Sequence, residues 1–257
     1  MADRLHEATR ALVVGGTQGL GEAIAARLVA EGCSRIVIAG RDPDKGAAAA
    51  ARIGARFLQV DLADTADTAA LVDRAAEALG GLDALAIAGA STDRGSILDT
   101  TPEAWDRMMT ANARSPFFAL QRFAQQAIAA GHAASAVNVL SMVVHCGQSF
   151  LAPYSASKAA LANVTKNAAQ ALRRHHIRVN GINCGWMDTP GEDAVQRKYH
   201  GAGDGWLQEA EAAQPMGSLV KTPDVARLAA LMLGPGSGVM TGSLVDFDQN
   251  VAGAYPE

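Results

Sequence analysis

The 257 residues match one α/β domain, and 49% hydrophobic residues with only 5% aromatics suit closely packed helices and sheets rather than disorder. A formal charge of −4 without a basic block argues against a nucleic-acid surface, and no apolar run approaches the ~20 residues of a membrane helix. Cys33, Cys146 and Cys184 are odd in number and widely spaced, giving neither a zinc spacing nor a disulfide framework. With a charged N-terminal stretch that lacks an apolar segment, they lead us to expect a reduced, cytoplasmic protein without a bound metal.

Residues 11–14 (ALVV) are a short apolar run ending in glycines and read as a buried strand. Residues 22–32 have helical periodicity and stop at glycine. Residues 35–40 (RIVIAG) and 55–62 (ARFLQVDL) read as the second and third strands. An amphipathic helix over 68–80 leads into a fourth strand over 82–89 (LDALAIAG). Helix is expected around 102–130, then a strand over 136–141 (AVNVLS). A helix carrying Tyr154 and Lys158 follows, then strands over 177–183 (IRVNGIN) and 243–247 (SLVDF). Strand alternating with helix implies parallel strands joined by right-handed crossovers. The expected fold class is α/β: a doubly wound, mostly parallel sheet with helices on both faces, forming a three-layer sandwich. One domain over 1–257 is expected, and the weakly patterned segment 186–216 reads as a lid within it.

The loop VVGGTQGLGEAIA joins the first strand to the first helix. Gly15, Gly19 and Gly21 are spaced G-x3-G-x-G, looser than the dinucleotide fingerprint. A glycine loop by itself is weak evidence, because strand-to-helix turns use glycine anyway. Its position strengthens the reading: glycine lets backbone approach a bulky anion, and the following helix offers N–H groups and a positive dipole end to a pyrophosphate. The second strand ends IAGRD, where such folds select their cofactor. Gly40 leaves space and Arg41 supplies a cation, which suits a 2′-phosphate and favours NADP(H). Asp42, one residue on, is the feature that would favour NAD(H) instead. The plain alternative for Arg41 is an exposed surface arginine.

Tyr154 and Lys158, four apart, share one helical face. Taken alone, Y-x-x-x-K reads first as a solvated surface pair. A lysine cation beside a phenol also favours the phenolate and lowers its pKa, which lets the tyrosine exchange a proton with an alcohol or ketone. Ser141 strengthens that second reading. It stands thirteen residues upstream at the end of a strand, where α/β sheets place their ligands. Asn112, in TANARSPFF, could anchor a water that relays protons from the lysine.

With GGTQGLG, VDL at 60–62, Asn112, Ser141, YSASK, RVNGINCGWMDTP and MTGSLVDFD in this order, the chain resembles the classical short-chain dehydrogenase/reductase family over almost its whole length. The resemblance implies a Rossmann-type fold and a catalytic tetrad of Asn112, Ser141, Tyr154 and Lys158. Ser141 would orient substrate, Tyr154 would be the acid/base, and Lys158 would lower its pKa and bind the nicotinamide ribose. Gly15, Thr17, Gln18, Gly19, Leu20 and Gly21 would hold pyrophosphate and ribose. Asp61 and Leu62 would border the adenine, with Ala88 and Gly89 beside them, and Gly185, Met187 and Thr189 would dock the nicotinamide. The chain departs from the family pattern at Val14 (usually Thr), at AIAG over 86–89 (usually N-N-A-G), at Cys184 (usually Pro) and at DFDQN (usually D-G-G). The two missing asparagines put in doubt the bonds that brace the fourth strand.

His145, Gln148 and Trp186 are candidate substrate contacts, although a loop histidine and a buried Cys146 thiol are the simpler reading of that segment. The expected function is hydride transfer between NADP(H) and a secondary alcohol or ketone. An NAD-dependent polyol or sugar dehydrogenase is the alternative, and a non-catalytic nucleotide sensor is the non-enzyme alternative. A small-molecule substrate and a homotetramer are the expected partners. The tetramer is read from the alanine-rich face of the Tyr154 helix and from Val245, Phe247, Val251 and Tyr255.

Overall fold

Apolar runs without a polar interruption become strands buried on both faces, and here they set the centre of the molecule. The computed structural model describes residues 5–254. The strands are β1 (Arg10–Val14), β2 (Arg35–Gly40), β3 (Arg56–Gln59), β4 (Ala84–Ile87), β5 (Ala134–Ser141), β6 (Ile177–Cys184) and β9 (Leu244–Phe247). They form one seven-stranded sheet in the order β3-β2-β1-β4-β5-β6-β9, parallel throughout. The strand order reverses between β1 and β4.

Side chains alternate across the sheet. Ala11 and Val13 of β1 face one apolar layer, built with Leu20, Ile24 and Leu28 of α1 (Gly19–Ala30) and Val225 and Ala229 of α9 (Thr222–Leu233). Leu12 and Val14 face the other, built with Leu71 of α3 (Thr65–Leu79) and Phe123 of α5 (Ser115–Ala130). Full burial of a side chain such as Leu71 or Phe123 contributes about 1.5–3 kcal/mol.

Helix starts follow their capping residues. Asp42 caps α2 (Pro43–Ile53), and Asp64 caps α3 by accepting from Ala66 N and Asp67 N at 2.9 and 3.0 Å. The helical stretch expected over 102–130 is two helices, α4 (Pro102–Met109) and α5, separated by a π-helical turn at Thr110–Arg114. The third strand stops at Gln59 rather than 62, because the chain turns there toward α3. Helices α2 and α9 have no counterpart in the sequence reading. Tyr154 and Lys158 lie on α6 (Ala152–Leu172).

The 186–216 segment contains β7 (Met187–Asp188), α7 (Pro190–His200) and α8 (Trp206–Ala212). It is pinned below by pairing of β7 with β8 (Val220–Lys221). Among the described residues, no helix is long and apolar enough to cross a membrane.

Candidate active site

A cleft of about 1260 Å³ opens at the C-terminal edge of the sheet, at the β1/β4 switch point where doubly wound sheets hold ligands. Its floor is the glycine loop. β1 must reverse into α1 at once, and Gly15 and Gly19 do so with φ of +79° and +57°. A Cβ on Gly15 would overlap the backbone of Gly89, so only glycine lets the ends of β1 and β4 close up. Gln18 begins α1 with extended backbone and no side-chain cap, which leaves the first-turn N–H groups and the positive dipole end available to an anion. The acidic residue of that turn, Glu22, is paired with Arg52 at 2.7 Å. Gly15, Thr17, Gln18, Gly19, Leu20 and Gly21 all line the cleft, and this cradle fits a dinucleotide pyrophosphate.

Arg41, Asp61, Leu62, Ala88 and Gly89 line the same end. Arg41 is exposed, and among the described residues its guanidinium takes part in no ion pair. Asp42 is engaged elsewhere: its carboxylate accepts from Asp44 N at 3.0 Å and Lys45 N at 3.1 Å as the cap of α2. The two missing asparagines are replaced by backbone bonding. The Ala88 and Gly89 N–H groups both donate to the Val14 carbonyl, at 2.9 and 3.0 Å.

Deeper in the cleft, β5 delivers Ser141 and α6 delivers Tyr154 and Lys158. Ser141 and Tyr154 line the same cleft. Lys158 is 3% exposed; its Nζ donates to the Val139 carbonyl at 2.8 Å and lies 5.8 Å from the phenol ring centroid. The expected lowering of the phenol by its lysine is not seen in the protein alone. Burial pushes Tyr154 up to about 12 against the opposing influence of the Ser141 hydroxyl, and burial pulls Lys158 down to about 8. The ammonium is held on Val139, so desolvation outweighs its pull. At neutral pH the pair is phenol and ammonium.

Of the residues expected at the cleft, Asn112 alone stands back from its surface. It is 1% exposed in the π-helical turn. Its Oδ1 accepts from Ser91 N at 2.7 Å, and its Nδ2 donates to Ser91 O at 2.9 Å and Ser157 Oγ at 3.0 Å. Both ends of the amide have protein partners. What it does is fix the loop after β4 against α6.

Gly185, Met187 and Thr189 line the cleft beyond β6, and a Cβ on Gly185 would overlap the Asp248 carboxylate of the folded-back DFDQN segment. Cys184 sits in register beside Ser141, and burial pushes its thiol up to about 12. His145, Gln148 and Trp186 all reach the cleft. His145 Nε2 lies 2.8 Å from Asp246 Oδ1, which also accepts from Asn183 Nδ2 at 2.7 Å. Burial works to raise the Asp246 carboxyl, but these two bonds outweigh it and hold it below the usual range. Trp186 donates to Glu192 Oε1 at 2.8 Å and stacks on Trp206 at 6.3 Å. Cys146 is exposed, contrary to the expected buried thiol.

Sequence reasoning named Ala88 and Gly89 but missed the rest of the loop after β4, including Arg94, and also Phe150, all on the cleft wall. The signal was available, because any loop leaving the C-terminal end of a strand at the switch point faces the ligand side.

Comparison with known proteins agrees with this architecture. A family model described as enoyl-(acyl carrier protein) reductase matches residues 14–249. The NADP-dependent (R)-specific alcohol dehydrogenase of Lentilactobacillus kefiri is 33% identical over 249 residues, covering 95% of this chain and 96% of that one. Galactitol 2-dehydrogenase of Agrobacterium fabrum is 32% identical over 230 residues, covering 86% and 89%. Among solved structures, an actinorhodin polyketide ketoreductase with NADPH superimposes with a TM-score of 0.86 at 26% identity, covering 96% of this chain and 97% of that one. The glycine cradle at the switch point, the strand order and these likenesses lead to one assignment: the chain belongs to the short-chain dehydrogenase/reductase family and is an NAD(P)-dependent oxidoreductase.

Proposed function

We propose that the protein interconverts a secondary alcohol and a ketone using NADP(H), with Tyr154 moving the proton. The observation that carries this reading is the convergence of Ser141, Tyr154 and Lys158 on one buried wall of the cleft, opposite the glycine cradle. The nicotinamide, when bound, supplies or accepts the hydride. Ser141, on the same cleft wall as the phenol, offers its hydroxyl to the reacting oxygen. The phenol stays protonated at neutral pH, so its O–H is available to a carbonyl oxygen as that oxygen gains negative charge. In the reverse direction the phenol must first give up its proton, and the Lys158 ammonium stabilises the resulting charge. A bare nucleotide sensor would have no use for these three groups together.

Arg41 and Asp42 support NADP(H). Among the described residues the guanidinium, at the cleft edge, has no ion-pair partner, and the carboxylate that would have accepted from a ribose hydroxyl is occupied as a helix cap. The chain, 1–257, is one domain in this reading, with 186–216 as its lid. A polyol or sugar substrate with NAD(H) is the second reading, favoured by the likeness to galactitol 2-dehydrogenase.

Dihydronicotinamide absorbance with a panel of ketones and alcohols tests the activity. In the same assay Tyr154→Phe should lower kcat by roughly 10²–10⁴ while NADPH still binds. Turnover close to wild type in that variant would remove Tyr154 from the reaction.

A further inference from the structure

At the substrate end of the cleft stands an arginine whose hydrogen-bonding capacity is largely unused. Arg94 lies on the loop after β4. The next residue, Gly95, is bridged to the segment before Tyr154: Gly95 N donates to Phe150 O at 3.0 Å, and Ala152 N donates to Gly95 O at 3.0 Å. The loop is therefore fixed to the start of α6, and Arg94 lines the same cavity as Tyr154. Its guanidinium lies 5.4 Å from the Phe150 ring centroid and 5.9 Å from that of Tyr199, so aromatic faces hold it in orientation. Among the described residues, two of its five N–H groups have partners: Nη1 donates to Thr92 O at 3.1 Å, and Nη2 lies 3.3 Å from His200 Nε2. Nε is buried and, among the same residues, has no partner. Among the described residues, no carboxylate pairs with this guanidinium.

A buried N–H without a partner costs free energy, and a cation without an anion costs more, so this arrangement is complete only with an acceptor. We propose that Arg94 anchors a carboxylate carried by the substrate, so that the enzyme acts on short oxo or hydroxy acids in preference to neutral ketones or alcohols. This rests on the reading of Tyr154 as the proton donor. A flat guanidinium matches the two oxygens of a carboxylate. The neighbouring carboxylates on the cleft wall are already engaged: Asp93 accepts from Tyr199 Oη at 2.8 Å, and Glu192 accepts from Trp186 at 2.8 Å and Gln196 at 2.7 Å. Their charges also disfavour a dianion, which selects carboxylate over phosphate. The Arg94 charge reaches the phenol as well and works to lower its pKa.

Arg94 also belongs to a latch between the loop and α7. Tyr199 Oη donates to Asp93 Oδ1 at 2.8 Å, and Lys198 Nζ donates to Tyr199 Oη at 2.7 Å. A test must separate anchoring from latching. Pentanoate and pentanamide, which do not react, are titrated calorimetrically into the whole protein with and without NADP+. Pentanoate should bind more tightly than the amide by roughly 10- to 100-fold, the range of a hydrogen bond to a charged group. Arg94→Gln should abolish that difference, and Arg94→Lys should restore part of it. Turnover gives the second readout: the ratio of kcat/KM for 2-, 3- and 4-oxopentanoate over their methyl esters should fall by a similar factor in Arg94→Gln. Tyr199→Phe, which breaks the latch and keeps the guanidinium, should leave the ratio where it was. Equal affinity for acid and amide in the wild type, a proportional loss for acid and ester in Arg94→Gln, or an equal shift of the ratio in Tyr199→Phe overturns the proposal. A protein that binds pentanoate through Arg94 yet reduces no ketone would sink the oxidoreductase reading of Tyr154 and leave the anchor standing.

Discussion

Replacing Lys158 by methionine should make the cofactor-free protein more stable while removing its activity. Lys158 is 3% exposed, its Nζ donates to one carbonyl, and among the described residues no carboxylate pairs with it. Burial takes its pKa from an ordinary 10.5 to about 8. At about 1.4 kcal/mol per pH unit, keeping the cation costs the folded state about 3 kcal/mol at neutral pH. Methionine retains the stem volume but gives up the bond to Val139, a loss of about 1–2 kcal/mol. The net gain is about 1–2 kcal/mol, or a Tm increase of roughly 2–8 °C for a chain of this size. The pH dependence identifies the cause. Folded wild type releases the proton near pH 8, whereas the unfolded chain holds it to about 10.5. Between those values the unfolded state binds more protons, so the wild type gains stability as pH rises, and the methionine variant lacks this gain. Thermal unfolding followed by circular dichroism at about pH 7 and about pH 10 should show the advantage of the variant shrinking and then reversing. A variant no more stable at neutral pH, or an advantage that ignores pH, would refute burial as the cause of the lysine's low pKa.

Arg41→Ala should weaken NADP(H) by roughly tenfold or more while sparing NAD(H), read as the ratio of cofactor KM values; equal loss for both removes Arg41 from 2′-phosphate recognition. Gly15→Ala should abolish cofactor binding and lower Tm, because the new Cβ meets the Gly89 backbone at a left-handed φ of +79°; a variant that binds NADPH normally would contradict the described loop geometry. Light scattering should give four times the 26.5 kDa of one chain, since β9 is an edge strand with Val245 and Phe247 only partly covered, and Phe117 and Ile128 stand out from α5. A mass of one chain overturns the tetramer, and twice that mass leaves one interface. Tyr255, also expected to contribute, lies outside the described residues.

The strands and the glycine loop were legible because their causes are local. ALVV can only be buried, and Gly15 is demanded by the turn it makes. Helices α2 and α9 were not, since the buried face of α2 rests on small residues (Gly46, Ala49, Ala50) and that of α9 packs on α1, far away in the sequence. The types of the site residues could be read, but their surroundings could not. Nothing in TANAR announces that Ser91 backbone takes both ends of the Asn112 amide. The spacing of Tyr154 and Lys158 places them one turn apart but says nothing of the desolvation that raises the phenol, where a lowering was expected, and lowers the lysine. Arg94 was missed because its orphaned Nε exists only once Phe150, Tyr199 and His200 are assembled around it.

The position of β9 has a consequence for synthesis. Asp246, which holds His145, lies 101 residues after it in the chain. At roughly 5–20 residues per second, the ribosome makes the histidine about 5–20 s before the carboxylate. From the completion of β6 at Cys184 until β9 follows, β6 is the sheet's raw border, with unpaired peptide groups open to any passing strand. The glycine cradle is by then already translated, so a nascent chain that has met its nucleotide can wait with most of its sheet in order. Mutations that slow elongation between α6 and β9 would therefore lower yield through aggregation without altering the finished enzyme.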